Sequence, residues 1–116
     1  MSYMLLIMEP HGQRAGRTLE QGTQAYENML QFAADLKARG LLRATESLKT
    51  GGVRITNRAG NALRVDGPFA ESKELVGGFF LLDCDSLEQA ITIAGQCPAA
   101  RWATIEVREL GPCYAA

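Results

Sequence analysis

The sequence has little of what most metal-dependent and disulfide-linked proteins are built from. Its 116 residues include one histidine and three cysteines, Cys84, Cys97 and Cys113, with no C-x-x-C pair. This pattern argues against a disulfide framework and a zinc site, and no other metal-ligand spacing occurs. We therefore expect reduced thiols, no metal and no cofactor.

An excess of charge of one sign and a long hydrophobic run are also missing. The formal net charge is −1, from 12 Lys and Arg against 13 Asp and Glu, so no broad positive field favours nucleic acid or an anionic membrane as a partner. The apolar run at residues 3–8 is too short to span a membrane and lacks the basic start of a signal peptide. The sequence predicts a cytoplasmic protein.

What the sequence does contain is a regular alternation of helix and strand signals. Thr18 and Gln21 fit a capping box that begins a helix, and Gly40 is suited to end it. Ser86 and Gln89 fit a second capping box, and Pro98 ends that shorter helix. A stripe of apolar residues at helical spacing predicts the buried face of the first helix, and it comprises Tyr26, Met29, Leu30, Ala33 and Leu36.

The strands predict a sheet that is apolar on both faces. Residues 3–8 and 79–82 are apolar at odd and even positions, whereas residues 104–108 alternate. Residues 53–56 and 62–65 predict a hairpin with its loop at 57–61 and with Val53, Ile55, Leu63 and Val65 on one face. Gly77 and Gly78 predict a bulge or a close backbone approach.

The order of these elements predicts an α+β fold. It is a ferredoxin-like βαββαβ unit with an inserted β-hairpin, an antiparallel sheet and two helices on one face. We expect one domain at residues 1–110 and a C-terminal tail at 111–116. Since helices cover only one face of such a sheet, the other apolar face predicts a homodimer with a second copy of the sheet.

One motif singles out a candidate site. Residues 66–74 read Asp-Gly-Pro-Phe-Ala-Glu-Ser-Lys-Glu, and Asp66 is a carboxylate at a strand end in a Gly-Pro turn, where ligand groups are often presented. The alternative is that Asp66 only caps the turn by bonding to the backbone.

This motif resembles the signature of the DGPF branch of the YCII-related family. The chain resembles members of this family along nearly its whole length. The resemblance implies a dimeric α/β-barrel-like assembly but no settled reaction. Some family members are proposed to use a His/Asp dyad with the histidine on the first helix, but this helix has none. Relatives often carry Asp-Pro after the second helix, where this chain has Cys97-Pro98. The dyad therefore does not carry over.

Acid/base work then falls to Asp66, with His11 and Lys73 as further catalytic candidates. The candidate ligand-binding residues are Phe69, Glu71, Glu106 and Arg108. Each has a plainer alternative: His11 exposed in a loop, Glu71 and Lys73 on a solvated edge, and Glu106 and Arg108 as a structural ion pair.

Two functions stay open at this point. One is a cofactor-independent small-molecule enzyme, of isomerase, lyase or dehalogenase type, with Asp66 as acid/base. The other is a non-catalytic ligand-binding or regulatory module, and the resemblance links such proteins to extracytoplasmic-function sigma factors.

Overall fold

The computed structural model describes residues 1–69 and 71–116. This part of the chain forms six strands and two α-helices in the expected order. They are β1 (Ser2–Pro10), α1 (Leu19–Ala38), β2 (Leu42–Ser47), β3 (Val53–Arg58), β4 (Asn61–Asp66), β5 (Glu74–Asp83), α2 (Leu87–Gln96), a 3₁₀ turn (Pro98–Arg101) and β6 (Thr104–Glu109). None of the helices in the described residues is long and apolar enough to cross a membrane.

The main sheet has the strand order β2-β5-β1-β6 with every pair antiparallel. This is the strand arrangement of a ferredoxin-like βαββαβ unit, and β3 with β4 forms a separate two-stranded sheet inserted into it. The predicted fold class is confirmed. The core lies between the main sheet and the helices, where Tyr3, Leu5 and Phe80 pack with Leu36 of α1 and Ile93 of α2.

Local sequence signals place α1 at its observed position. The Gln21 N–H donates to Thr18 Oγ1 and the Thr18 N–H donates to Gln21 Oε1, so the capping box is formed in both directions. At the other end Gly40 has φ +73°, and its N–H donates to the carbonyl of Lys37. Both predicted ends of this helix are confirmed.

The helix-free face of the main sheet is apolar at its centre, and its side chains are only half-buried in a single copy of the chain. Met4, Leu6 and Met8 of β1 lie on it, between the buried positions of the same strand. Leu81 of β5 is the register partner of Met4, so the row of apolar side chains continues across the strands. This face is the surface for which the sequence predicts a partner.

The β3–β4 hairpin differs from the prediction in two respects, its turn and its faces. Its connection is the two-residue turn Ala59-Gly60, with both residues at positive φ, rather than a loop at 57–61. This turn pairs Ile55 with Arg64 and Thr56 with Leu63. Since directly opposed residues share a face, Ile55 and Leu63 lie on opposite faces, and the expectation of a single apolar face is wrong.

Candidate functional site

The main cavity of the structure lies between α1 and the carboxyl end of β1. It has a volume of about 790 Å³, which is within the usual range for pockets that hold small organic molecules. Tyr26 and Leu30 of α1 line it and are 54% and 50% exposed. These two members of the predicted apolar stripe therefore form a cavity wall instead of packing against the sheet.

A buried carboxylate stands at the cavity wall. Glu9 is 4% exposed, and its Oε1 atom lies 2.6 Å from Nε of Arg14. The other two nitrogens of Arg14 donate to backbone carbonyls, Nη1 to Leu48 at 2.6 Å and Nη2 to Gly77 at 3.0 Å. Arg14 thus compensates the charge of Glu9 and ties it to β5 and to the segment after β2.

Two glycines make room for this arrangement. The β1–β5 register shifts between Ile7 and Met8, so that Gly77 is an extra residue in β5. A Cβ on Gly77 would lie 2.5 Å from Glu9 Oε2 and 2.9 Å from Arg14 Nη2, and one on Gly78 would lie 2.8 Å from the carbonyl of Glu46. The predicted bulge and close approach are both confirmed.

A second positively charged side chain reaches the main cavity next to an aromatic ring. The guanidinium carbon of Arg17 lies 5.4 Å from the centre of the Trp102 ring, and both residues line the cavity. Gln13 joins them, since its Oε1 accepts from Arg17 Nη2 at 3.2 Å and its Nε2 donates to the Trp102 carbonyl at 2.6 Å. The loop after β1 therefore fixes the position of Arg17 through Trp102.

A smaller cavity of about 320 Å³ adjoins the same loop. Glu9 and Arg14 line both cavities, and His11, Gly67 and Pro68 line the smaller one. The structure thus brings His11 to the turn that follows Asp66. The two sequence-predicted elements meet here, although the Asp66 side chain itself lines neither cavity.

Asp66 lies at the surface in one chain. Its Oδ1 accepts from Arg64 Nε at 2.8 Å, and its side chain is 66% exposed. Lys73 is also exposed, and its backbone carbonyl accepts from the His11 N–H at 3.3 Å. The backbones at Lys73 and His11 therefore meet, while the carboxylate of Asp66 lies outside both cavities.

Arg54 of the hairpin gathers two of the predicted ligand-binding residues. Its guanidinium carbon lies 3.7 Å from the centre of the Phe69 ring, and its Nη1 lies 3.3 Å from Glu71 Oε1. Its Nη2 donates to Ser72 Oγ at 3.3 Å. These contacts hold the motif segment against β3, which is a structural use of Phe69 and Glu71.

Glu106 and Arg108 are far from this segment in the fold. They pair with each other on β6 at 3.2 Å between Arg108 Nη1 and Glu106 Oε2. Their register partners in β1 are Leu6 and Met4, so they border the apolar centre of the helix-free face. The structure does not bring them to either cavity.

Two of the three cysteines, Cys84 and Cys97, are buried. Cys97 is 2% exposed, and burial is the main cause that raises the pKa of its thiol, although the backbone N–H groups of Ala99 and Ala100 act against it. Burial also raises the pKa of the Cys84 thiol. Cys97 is thus a buried structural thiol. Among the described residues no group of three or more His, Cys, Asp or Glu side chains could hold a metal ion.

Glu9 and Arg14 are site residues that the sequence analysis missed. The apolar run that predicts the first strand stops at residue 8, but Glu9 also belongs to β1, where it pairs with Leu75 of β5 beyond the bulge. A usable signal existed: a carboxylate directly continues a strand that is apolar on both faces, and the paired glycines indicate that something approaches the backbone of β5.

Comparison with known proteins agrees with this fold. The YCII-related domain matches residues 1–113 of the chain. The chain belongs to the YCII-related family. An uncharacterized protein of Rhizobium meliloti (strain 1021) is 41% identical to it over 63 residues, which are 53% of this chain and 51% of the relative. The match therefore spans about half the length of this curated relative.

One solved structure is similar to this YCII-related chain over nearly its whole length. It is the 5-chloro-2-hydroxyhydroquinone dehydrochlorinase (TftG) from Burkholderia phenoliruptrix AC1100, in complex with 2,5-dihydroxybenzoquinone. The TM-score is 0.56 at 15% identity, with 96% of this chain and 94% of that chain covered. At this identity the similarity shows the shared fold.

Proposed function

We propose that this protein is a small-molecule enzyme that transfers protons without a cofactor, with its substrate in the main cavity and Glu9 as the acid/base group. The observation that carries the proposal is the nearly complete burial of the Glu9 carboxylate at the wall of that cavity. Buried carboxylates beside a ligand-sized pocket are the usual sites of general acid/base chemistry.

The chemistry needs only one carboxylate and a compact substrate. Glu9 takes a proton from an acidic carbon or hydroxyl of the substrate, and the protonated Glu9 returns it at another atom or to a leaving group. The reaction is then an isomerisation or an elimination, and neither step consumes an oxidant or a reductant. Arg14, at 2.6 Å from Glu9, keeps the carboxylate in place during the exchange.

The fold comparison guides the choice of substrate class. The dehydrochlorinase of similar fold is in complex with 2,5-dihydroxybenzoquinone, which is a small oxygenated ring. A ring of this kind is smaller than the main cavity of about 790 Å³, so oxygenated ring compounds are the first substrates to test. Within the family we place the chain in the DGPF branch on the motif that begins at Asp66.

Asp66 and His11 are the second candidate pair for the same chemistry. His11 and the turn after Asp66 meet at the smaller cavity, and a rotation of the exposed Asp66 side chain away from Arg64 costs little because the pair is exposed. Lys73 adjoins His11 through the backbone and is the positively charged member of this group.

A binding module without turnover is the alternative function, and one observation favours it. Glu9 is paired with Arg14 and Asp66 with Arg64. Such charged pairs commonly serve structure. In that case the main cavity holds a ligand that is not converted.

Turnover of a panel of oxygenated ring compounds tests the proposal. We expect Glu9→Gln to lower kcat by about 100-fold or more, whereas Glu27→Gln, an exposed glutamate of α1 outside the cavity, leaves it unchanged. Glu9→Asp keeps the charge and controls for loss of the fold, which circular dichroism checks for every variant.

Other outcomes of this experiment support a different acid/base residue or the binding module. Unchanged turnover in Glu9→Gln contradicts the assignment of Glu9, and loss of turnover in Asp66→Asn instead moves the chemistry to the smaller cavity. Binding of panel compounds by the wild type without any product, in the presence of intact fold, establishes the binding module.

A further inference from the structure

Arg17 carries a positive charge at the main cavity that no carboxylate of the described residues compensates. No carboxylate of residues 1–69 and 71–116 lies within 4.0 Å of its guanidinium nitrogens. The neighbouring Arg14 is different, because its charge is matched by Glu9. A half-buried and unmatched guanidinium at a cavity wall is a ready partner for a ligand anion.

The remaining charged residue at the cavity does not offset Arg17. Glu46 borders the cavity, but its register partner is Phe79, whereas the adjacent Thr45 pairs with Phe80. Phe80 packs against Phe32 of α1, so Thr45 and Phe80 are on the helix face. Glu46 and Phe79 therefore direct their side chains to the helix-free face, although both residues border the cavity.

Arg17 is also held ready for binding. Its Nη2 donates to Gln13 Oε1 at 3.2 Å, and Gln13 is itself held by the Trp102 carbonyl at 2.6 Å. Stacking on the Trp102 ring at 5.4 Å fixes the guanidinium from a second side. The Nε and Nη1 groups of Arg17 make no hydrogen bond to the described residues and keep their donors for a ligand.

From this geometry we propose that the substrate or ligand of the main cavity is a planar ring compound that carries a carboxylate, and that Arg17 binds the carboxylate. The ring of the ligand is inferred from the cavity wall, where Trp102, Tyr26 and Met29 provide apolar and aromatic surface. Arg is the side chain whose planar donor array best matches a carboxylate. This inference rests on the cavity of the proposed function and adds the class of its ligand.

Trp102 gives a direct measurement of binding, because it is the single tryptophan of the sequence and lines the cavity. Matched pairs of ring carboxylates and their carboxamides, beginning with benzoate and benzamide, are titrated against the full-length protein while tryptophan fluorescence is recorded. Isothermal titration calorimetry repeats each measurement, since substitution of Arg17 changes the starting fluorescence. Each pair differs mainly in the charge that Arg17 is proposed to bind.

We expect the wild type to bind the carboxylates at least about tenfold more tightly than the carboxamides, as a charge-assisted hydrogen bond provides. Arg17→Gln removes this preference and leaves carboxamide affinity unchanged, while Arg17→Lys restores part of it. Arg101→Gln is the matched control, because Arg101 is an exposed residue next to Trp102 in sequence that does not line the cavity.

The outcomes separate this inference from the proposed function. Equal affinities for carboxylates and carboxamides in the wild type, or an unchanged preference in Arg17→Gln, overturn the inference while the cavity remains a ligand site. If no compound of either kind changes the Trp102 fluorescence or gives binding heat at millimolar concentration, the inference and the proposed function of the main cavity both fail.

Discussion

Gly77 and Glu9 share one small volume at the bulge of β5. A Cβ on Gly77 would lie 2.5 Å from Glu9 Oε2, so the buried carboxylate fills the space that any larger residue at position 77 would need. The bulge and the charged pair are thus parts of one arrangement: Gly77, the extra residue of β5, leaves room for the carboxylate of Glu9, and Arg14 donates to the carbonyl of Gly77.

Replacing Gly77 by alanine tests this arrangement. The added methyl group collides with Glu9 and Arg14, and since both are held by other bonds, we expect a loss of about 1–3 kcal/mol in the free energy of unfolding. Gly95→Ala in α2 is the matched control, because a Cβ there has no atom within 4 Å. That change should stabilise the helix by roughly 0.5–1 kcal/mol. Urea denaturation measures both, and equal effects of the two substitutions would contradict the tight contact.

The coupling between Glu9 and Arg14 gives a second prediction. Removing one partner leaves the other charge largely unmatched, and Arg14 keeps a third of its side chain in solvent, so we expect each of Glu9→Gln and Arg14→Gln to cost about 1–3 kcal/mol. The double variant should cost less than the sum of the two by at least about 0.5 kcal/mol. Strict additivity in the urea-unfolding free energies would show that the two side chains do not interact.

Much of the fold was predictable because its signals are local. Thr18 and Gln21 form their capping box within four residues of one another, and Gly40 ends α1 by its own backbone conformation. The continuous apolar runs of β1 and β5 likewise identify these strands from neighbouring residues alone. Such features depend on neighbours in sequence, which is why the order of elements was predicted correctly.

The site was harder to predict because it depends on register between distant segments. Glu9 lies on the buried face of β1, and space for its carboxylate there comes from Gly77 at the bulge of β5. The faces of Ile55 and Leu63 likewise depend on whether the hairpin turn has two residues or another number. Asp66 stood out in the sequence through its motif, but the exposure of its side chain is set by the hairpin and is not visible in that motif.

A pH dependence follows from the buried thiol of Cys97. Its pKa in the folded protein is raised above the ordinary value of 9.0, first of all by burial. Well below pH 9 the thiol is protonated in both states, and its titration leaves stability unaffected. Above it the unfolded chain loses the proton first, so the free energy of unfolding falls with rising pH, by at most about 1.4 kcal/mol per pH unit for this group.

Urea denaturation of the wild type and Cys97→Ala between pH 7 and pH 10.5 measures this contribution. Tyrosines and lysines also titrate in this range, so the quantity of interest is the difference between the two curves. We expect Cys97→Ala to be less stable than the wild type at pH 7, because a buried side chain is shortened, and the gap to narrow above pH 9. Parallel curves would contradict a raised thiol pKa.

The helix-free face leads to the last prediction, that the protein is a homodimer. Met4, Leu6 and Leu81 form an apolar row there, bordered by the Glu106–Arg108 pair, and a row of this kind on an open sheet is typical of an interface between copies. Leu6→Lys places a charge at its centre, where burial against a partner would be costly. We therefore expect light scattering coupled to size exclusion to give a dimer mass for the wild type and a monomer mass for Leu6→Lys. Ile91→Lys, at a 45% exposed apolar position on α2, should remain a dimer; a wild-type monomer mass at every concentration would instead show that this face is open to solvent.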